Sequence, residues 1–176
     1  MKLVNVYKNI WLADITGTMS VFINKKIEDT MNAYIEKKFD PVTVGVLTVC
    51  EDNVFEKPKK EFGTGMEVVS SQSIHIRAGL NDGPPDHNAP YGDPNDVRRY
   101  IGAIKSLEML VGLKDTVIVH CWGGVSRSTF VVAAYIALKE GLSIHKSVKK
   151  LRKVYPHTNP HPKHYLEWDK IKADWR

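Results

Sequence analysis

The stretch TVIVHCWGGVSRSTFVVAAYIAL, residues 116–138, constrains the fold more than any other part of the chain. It begins with a short β-branched run, the composition of a strand buried on both faces. It ends in STFVVAAYIALKE, apolar nearly all round, which predicts a helix enclosed on several sides and stopped at Gly141. Only a few residues join the two, and two of those are glycines. A buried strand feeding a buried helix through so short a turn needs other strands beside the one and other helices around the other.

The rest of the sequence supplies them. LVNVY and NIWLA read as two short strands about a turn at Lys8, and TVGVLTV (43–49) and SIHIRAGL (73–80) as two buried strands. Ile27, Met31, Tyr34 and Ile35 recur at helical spacing. EDNVFEKPKKEFGTG reads as an excursion of turns and charges, and NDGPPDHNAPYGDPND (81–96) as an irregular loop long enough to be functional. That loop ends in a helix start, with Asp93 as cap and Pro94 in the first turn. The helix then buries Val97, Tyr100, Ile101, Ile104, Leu107 and Val111 and closes at Gly112. SIHKSVKKLRKVY predicts an amphipathic helix with Ile144, Val148, Leu151 and Tyr155 inward, and PKHYLEWDKIKADW a last helix. Strands alternating with helices at this spacing predict an α/β fold with a mostly parallel sheet of about five strands. With no repeat or long linker, residues 1–176 are expected to form one domain.

Composition excludes several classes. At 43% hydrophobic and 26% charged residues the chain is neither disordered nor membrane-embedded, and no run reaches the length of a span. MKLVNVYKNIWLAD lacks the apolar core of a secretory signal, and two cysteines make neither a disulfide framework nor a metal spacing, so a reducing, cytoplasmic setting is expected. Cys50 reads as a strand-end packing residue. The formal charge of +5 favours an anionic partner without choosing one. Lys146, Lys149, Lys150, Arg152 and Lys153 read first as a solvated helix face. His157, His161 and His164, separated by prolines, read as an ordinary interhelical loop rather than a metal site. Trp11, Trp168 and Trp175 read as packing residues.

The junction at residues 121–127 carries chemistry. A turn between a strand and a buried helix makes a concave nest of backbone N–H groups at the positive end of the helix dipole, and anions bind there. Gly123 and Gly124 let the backbone approach a ligand, and Arg127 can offer two parallel N–H bonds to phosphate oxygens. Cys121 lies at the bottom of that cup, where the same field stabilises a thiolate. Such a thiolate can take a phosphoryl group from a bound monoester and form a phosphocysteine, splitting one hydrolysis into two easier steps. The cradle then serves positioning and charge stabilisation, and the chemistry requires neither metal nor other cofactor.

His120-Cys121-Trp122-Gly123-Gly124-Val125-Ser126-Arg127-Ser128 matches the pattern HCxxGxxR followed by Ser or Thr. It resembles the signature of the cysteine-dependent protein tyrosine phosphatase superfamily, and the chain looks like its small dual-specificity branch. VYKNIWLAD resembles that family's opening strand pair and VGVLTV its second core strand, and the helix order agrees through about residue 170. The resemblance implies a mixed, largely parallel sheet between helices. It implies Cys121 as nucleophile, Arg127 as phosphate clamp, Ser128 as the hydroxyl that steadies the thiolate leaving group, and His120 as a support of the loop. The backbone amides of Trp122, Gly123, Gly124, Val125 and Ser126 would line the cup. Trp122 and Gly123 depart in detail, since smaller residues are common at the first position and alanine at the second.

The leaving oxygen needs a proton, so a carboxylic acid should face the cup. In the family it lies just past the strand that precedes the helix, which assigns Asp82; Asp86 and Asp93 share that loop and compete for the role. The expected function is a protein phosphatase acting on phosphotyrosine and on phosphoserine and phosphothreonine. The alternatives are the same chemistry on a non-protein phosphate, RNA 5′-triphosphate or a phosphoinositide, or a phosphate-binding module without turnover. The absence of lysine from WGGVS argues against a phosphoinositide, the basic helix keeps RNA open, and Cys121 argues for turnover. The expected partner is a phosphorylated protein, with no membrane.

Overall fold

A computed structural model of the chain describes residues 3–13, 43–49, 66–68, 73–80, 94–121 and 123–175. The expected helix around Ile27–Ile35 lies outside the described residues, as do Cys50, Asp82, Asp86, Asp93 and Trp122. The strands are β1 (Leu3–Tyr7), β2 (Ile10–Ala13), β3 (Val44–Thr48), β4 (Met66–Val68), β5 (Ser73–Arg77) and β6 (Thr116–His120). The helices are α1 (Pro94–Leu113), α2 (Arg127–Glu140), α3 (Ile144–Val154), α4 (Pro162–Leu166) and α5 (Trp168–Asp174).

Among the described residues the sheet has six strands in the order β1-β2-β6-β3-β5-β4. The pairs β2–β6, β6–β3 and β3–β5 are parallel, whereas the outer pairs β1–β2 and β5–β4 are antiparallel. This is the mixed, mostly parallel sheet expected, with β4 as an added edge strand too short to show any alternation in sequence. β1 and β2 turn at Lys8, whose φ of 48° is left-handed, and Asn5 Nδ2 donates to Lys8 O at 2.8 Å.

β6 sits between β2 and β3, and every one of its residues is buried. Val117 and Val119 join the main core, while Ile118 packs with Ala13, Trp11 and Val46 in a smaller cluster. Burial on both sides is what its unbroken apolar run requires. α2 is buried from Arg127 through Ala137 and packs on α1, α3 and β6. Gly141, at φ 64°, takes the left-handed conformation that ends α2, and its N–H donates to Ala137 O.

α1 buries Val97, Tyr100, Ala103, Ile104, Leu107 and Leu110, and continues through Gly112 to Leu113 rather than closing at the glycine. α3 starts at Ser143, whose hydroxyl accepts from Lys146 N–H, and turns Ile144, Val148 and Leu151 inward, with Tyr155 just beyond its end. Its basic residues are exposed, and Lys150 pairs with Glu140 at 2.6 Å. The last helical stretch is two short helices broken at Glu167, not one. Trp168 is buried and Trp175 packs against the same core. Among the described residues no helix is long and apolar enough to cross a membrane.

Candidate active site

Three parallel strands bring their carboxyl ends to one edge. Thr48 stands in register with Arg77 on one side and His120 on the other. The ladder runs one step further: Val49 N–H donates to His120 O at 2.9 Å and Ala78 N–H to Thr48 O at 2.8 Å. Ligands of open α/β sheets bind beyond such ends. Cys121 is the first residue past β6, and Leu80 lies three residues past β5.

Cys121 is buried, 1% exposed, and its Sγ lies 3.2 Å from Ser128 Oγ in the first turn of α2. The helix therefore presents a hydroxyl directly to the sulfur. His120, also buried, reaches the neighbouring strand, with Nε2 2.7 Å from Thr48 Oγ1 on β3. That bond fixes the last residue of β6 against its neighbour strand and so fixes where the next residue begins.

Between Cys121 and Arg127 the chain reverses into α2. Gly124 has φ 64°, a conformation that residues with a Cβ adopt only at a cost. Gly123 is different: among the described residues a Cβ there would meet only Val125 Cγ2 at 3.9 Å, ordinary contact. None of the described residues stands in the way of an alanine there. Ser126 occupies the N-cap position of α2, yet its side chain makes no cap bond to the helix. The amides of the first turn are thus not claimed by the hydroxyl that usually takes one of them.

Arg127 is buried, and its Nη1 donates to Leu80 O at 3.0 Å. One arm of the guanidinium is anchored to the chain leaving β5, two residues before Asp82. Among the described residues the site thus brings together Cys121, Gly123, Gly124, Val125, Ser126, Arg127, Ser128 and His120. Trp122 and the three candidate acids Asp82, Asp86 and Asp93 lie outside them.

The sequence reading missed what stands behind this loop. Asn159 N–H donates to Val125 O at 2.9 Å, and His161 N–H donates to Ser126 Oγ at 3.1 Å. Ser126 Oγ also lies 3.0 Å from His164 Nε2, and the other ring nitrogen of His164 is hydrogen-bonded to the Tyr100 hydroxyl on α1. His164 is fully buried against the Phe130 ring, 5.1 Å between centroids. The segment expected to be an ordinary interhelical loop is therefore packed on the loop at the end of β6, and His164 belongs to a helix. A signal was present: His164, Trp168 and Ile171 fall at helical spacing and all are buried, so a histidine stands where the pattern asks for an apolar residue.

No family model matches the chain, and no curated protein matches it in sequence. Solved structures do match. Human DUSP28 is 18% identical, with 98% of this chain and 93% of that one aligned at a TM-score of 0.61. DUSP15 is 15% identical over 96% of this chain and 86% of its own, at 0.59. The human tyrosine phosphatase-like serine/threonine/tyrosine-interacting protein is 14% identical over 98% and 97%, at 0.64. The fold that the resemblance implied is the fold found: the described strands and helices form the protein tyrosine phosphatase-like fold of these structures.

Proposed function

We propose that the chain is a metal-independent cysteine phosphatase that hydrolyses phosphotyrosine, and phosphoserine and phosphothreonine, in protein substrates. The observation that carries this reading is the sulfur of Cys121 at the start of a loop that turns at Gly124 into the N-terminus of α2, with Ser128 Oγ 3.2 Å away and Arg127 the first residue of that helix. Similar folds alone do not decide between turnover and binding, since one neighbour is itself named phosphatase-like and interacting. The nucleophile is what separates the two, and this chain has it.

In the first step a phosphate dianion sits on the loop amides and the Arg127 guanidinium. The Cys121 thiolate forms an S–P bond as the P–O bond to the leaving group breaks, and Asp82 gives its proton to the departing oxygen. In the second, the Asp82 carboxylate takes a proton from water as that water attacks phosphorus. The S–P bond breaks, inorganic phosphate leaves, and the thiolate returns with Ser128 Oγ–H donating to it. Arg127 and the amides stabilise equatorial charge in both steps. Asp82 is favoured over Asp86 and Asp93 because it follows Leu80, the residue tied to Arg127, by two positions.

A second reading, the same chemistry on RNA 5′-triphosphate, draws on the exposed basic face of α3. Turnover measured side by side on phosphotyrosine peptide, phosphothreonine peptide, phosphoinositide and RNA triphosphate decides. The proposal expects the peptides to be the preferred substrates, unaffected by chelators. RNA or lipid turnover above that on either peptide would replace it.

A further inference from the structure

We propose that His164 is a positioning residue for the phosphate loop, a buried brace that fixes Ser126 through its hydroxyl and is itself oriented by Tyr100. The inference rests on the reading of that loop as a phosphate cup.

Three elements far apart in sequence meet at this ring: Tyr100 on α1, Ser126 at the start of α2 and His164 on α4. A neutral imidazole has one N–H donor and one acceptor nitrogen, and both are engaged here. Either Tyr100 O–H donates to Nδ1 and Nε2–H donates to Ser126 Oγ, or Ser126 O–H donates to Nε2 and Nδ1–H donates to Tyr100 O. In both arrangements the ring is held at its two ends. The ring lies tilted against Phe130 and meets Tyr100 and His161 edge-on.

What the brace holds is the point where the loop becomes helix. Ser126 directly precedes Arg127, so moving Ser126 moves the clamp as well as the amides beside it. The hydroxyl is used across the structure rather than on its own helix, although an N-cap serine ordinarily bonds to its own first turn. A histidine serving only as filler would not need two polar partners in a site where an apolar side chain of like size avoids the cost of desolvation. The neighbouring bonds from Asn159 N–H to Val125 O and from His161 N–H to Ser126 Oγ are donated by backbone. Among the described residues, His164 and Tyr100 add side-chain bonds to this support.

The test uses the full chain with His164→Phe, His164→Gln, Ser126→Ala and the double variant His164→Phe/Ser126→Ala. Melting is followed in each, together with the Kd for tungstate and kcat and KM on p-nitrophenyl phosphate per folded molecule. The expected result is a folded His164→Phe protein whose tungstate Kd rises about 10-fold and whose kcat falls about 10- to 100-fold, the scale of a small misplacement. His164→Gln, which can still present an N–H toward Ser126, recovers a large part of both. The double variant loses no more than the worse single, because the two residues form one contact.

A His164→Phe protein with a lowered Tm but unchanged tungstate Kd and KM would overturn the proposal, as would losses that multiply in the double variant. If His164→Phe does not fold, His164→Gln and Ser126→Ala decide: unchanged tungstate binding in both overturns it. A parent chain that binds tungstate but turns over no phosphoester contradicts the proposed function while the Kd comparison still judges the brace. A parent chain that does not bind tungstate overturns both.

Discussion

The loop from Cys121 to Arg127 and the segment from Thr158 to His164 touch each other, yet they relate to the sequence in opposite ways. The loop is built from local grammar: a strand end, glycines, an arginine and a helix start, all within a few residues. Its conformation follows from that order, since Gly124 takes the positive φ and α2 begins three residues later at Arg127. The segment behind it has no such grammar. Asn159, His161 and His164 acquire their role only because α1, α2 and α4 converge, and convergence is a property of the whole fold. A loop of this shape can be written locally, whereas the parts that hold it still are distributed.

Arg127→Lys tests the local half most severely. A lysine ammonium cannot hold Leu80 O and grip two phosphate oxygens at once, so kcat/KM on p-nitrophenyl phosphate is expected to fall about 100- to 1,000-fold. Retention within a few-fold would mean that charge alone suffices and that the fork geometry has been overvalued. Ser128→Ala removes the hydroxyl at 3.2 Å from Cys121 Sγ. Its expected signature is a preserved burst followed by steady turnover slowed about 10-fold, because thiolate departure becomes the slow step. A lost burst with normal later turnover would place the hydroxyl in the wrong step.

Two glycines, adjacent in the loop, sharpen the comparison through stability. Gly124→Ala forces a Cβ into the left-handed region and should cost about 1–2 kcal/mol in denaturant unfolding, while Gly123→Ala should stay within about 0.5 kcal/mol. Equal costs would show that the turn does not depend on φ at Gly124. In the distributed half, Thr158→Val deletes the buried hydroxyl that donates to Tyr155 O at 2.6 Å. A loss of about 1 kcal/mol with turnover within about twofold is expected. A large loss of turnover instead would make the entire segment, and not His164 with its partners, the support of the loop.

The same contrast explains how much could be read beforehand. β6, α2 and α3 carry long apolar patterns, and their inward faces, including Ile144, Val148 and Leu151, lie where periodicity puts them. The signature residues at the β6–α2 junction were legible because they are adjacent in sequence, whereas the bonds that hold Ser126 and Arg127 come from outside the junction. β4 went unread because three residues on an edge offer no pattern. Gly112 does not stop α1, since a single glycine costs a helix only about 1 kcal/mol and Leu113 continues it. The break at Glu167 and the burial of His164 depend on how α4 and α5 pack on the core, which no window of sequence contains.

The claim on which everything else depends is that Cys121 becomes covalently phosphorylated. Acid quenching during turnover of p-nitrophenyl phosphate, followed by peptide mass analysis, reads this directly. The account predicts a phosphate-mass adduct on the Cys121 peptide, absent from Cys121→Ser, which also loses at least about 10⁴-fold in turnover. Phosphate release with no adduct at Cys121, or near-normal turnover in the serine variant, would contradict it.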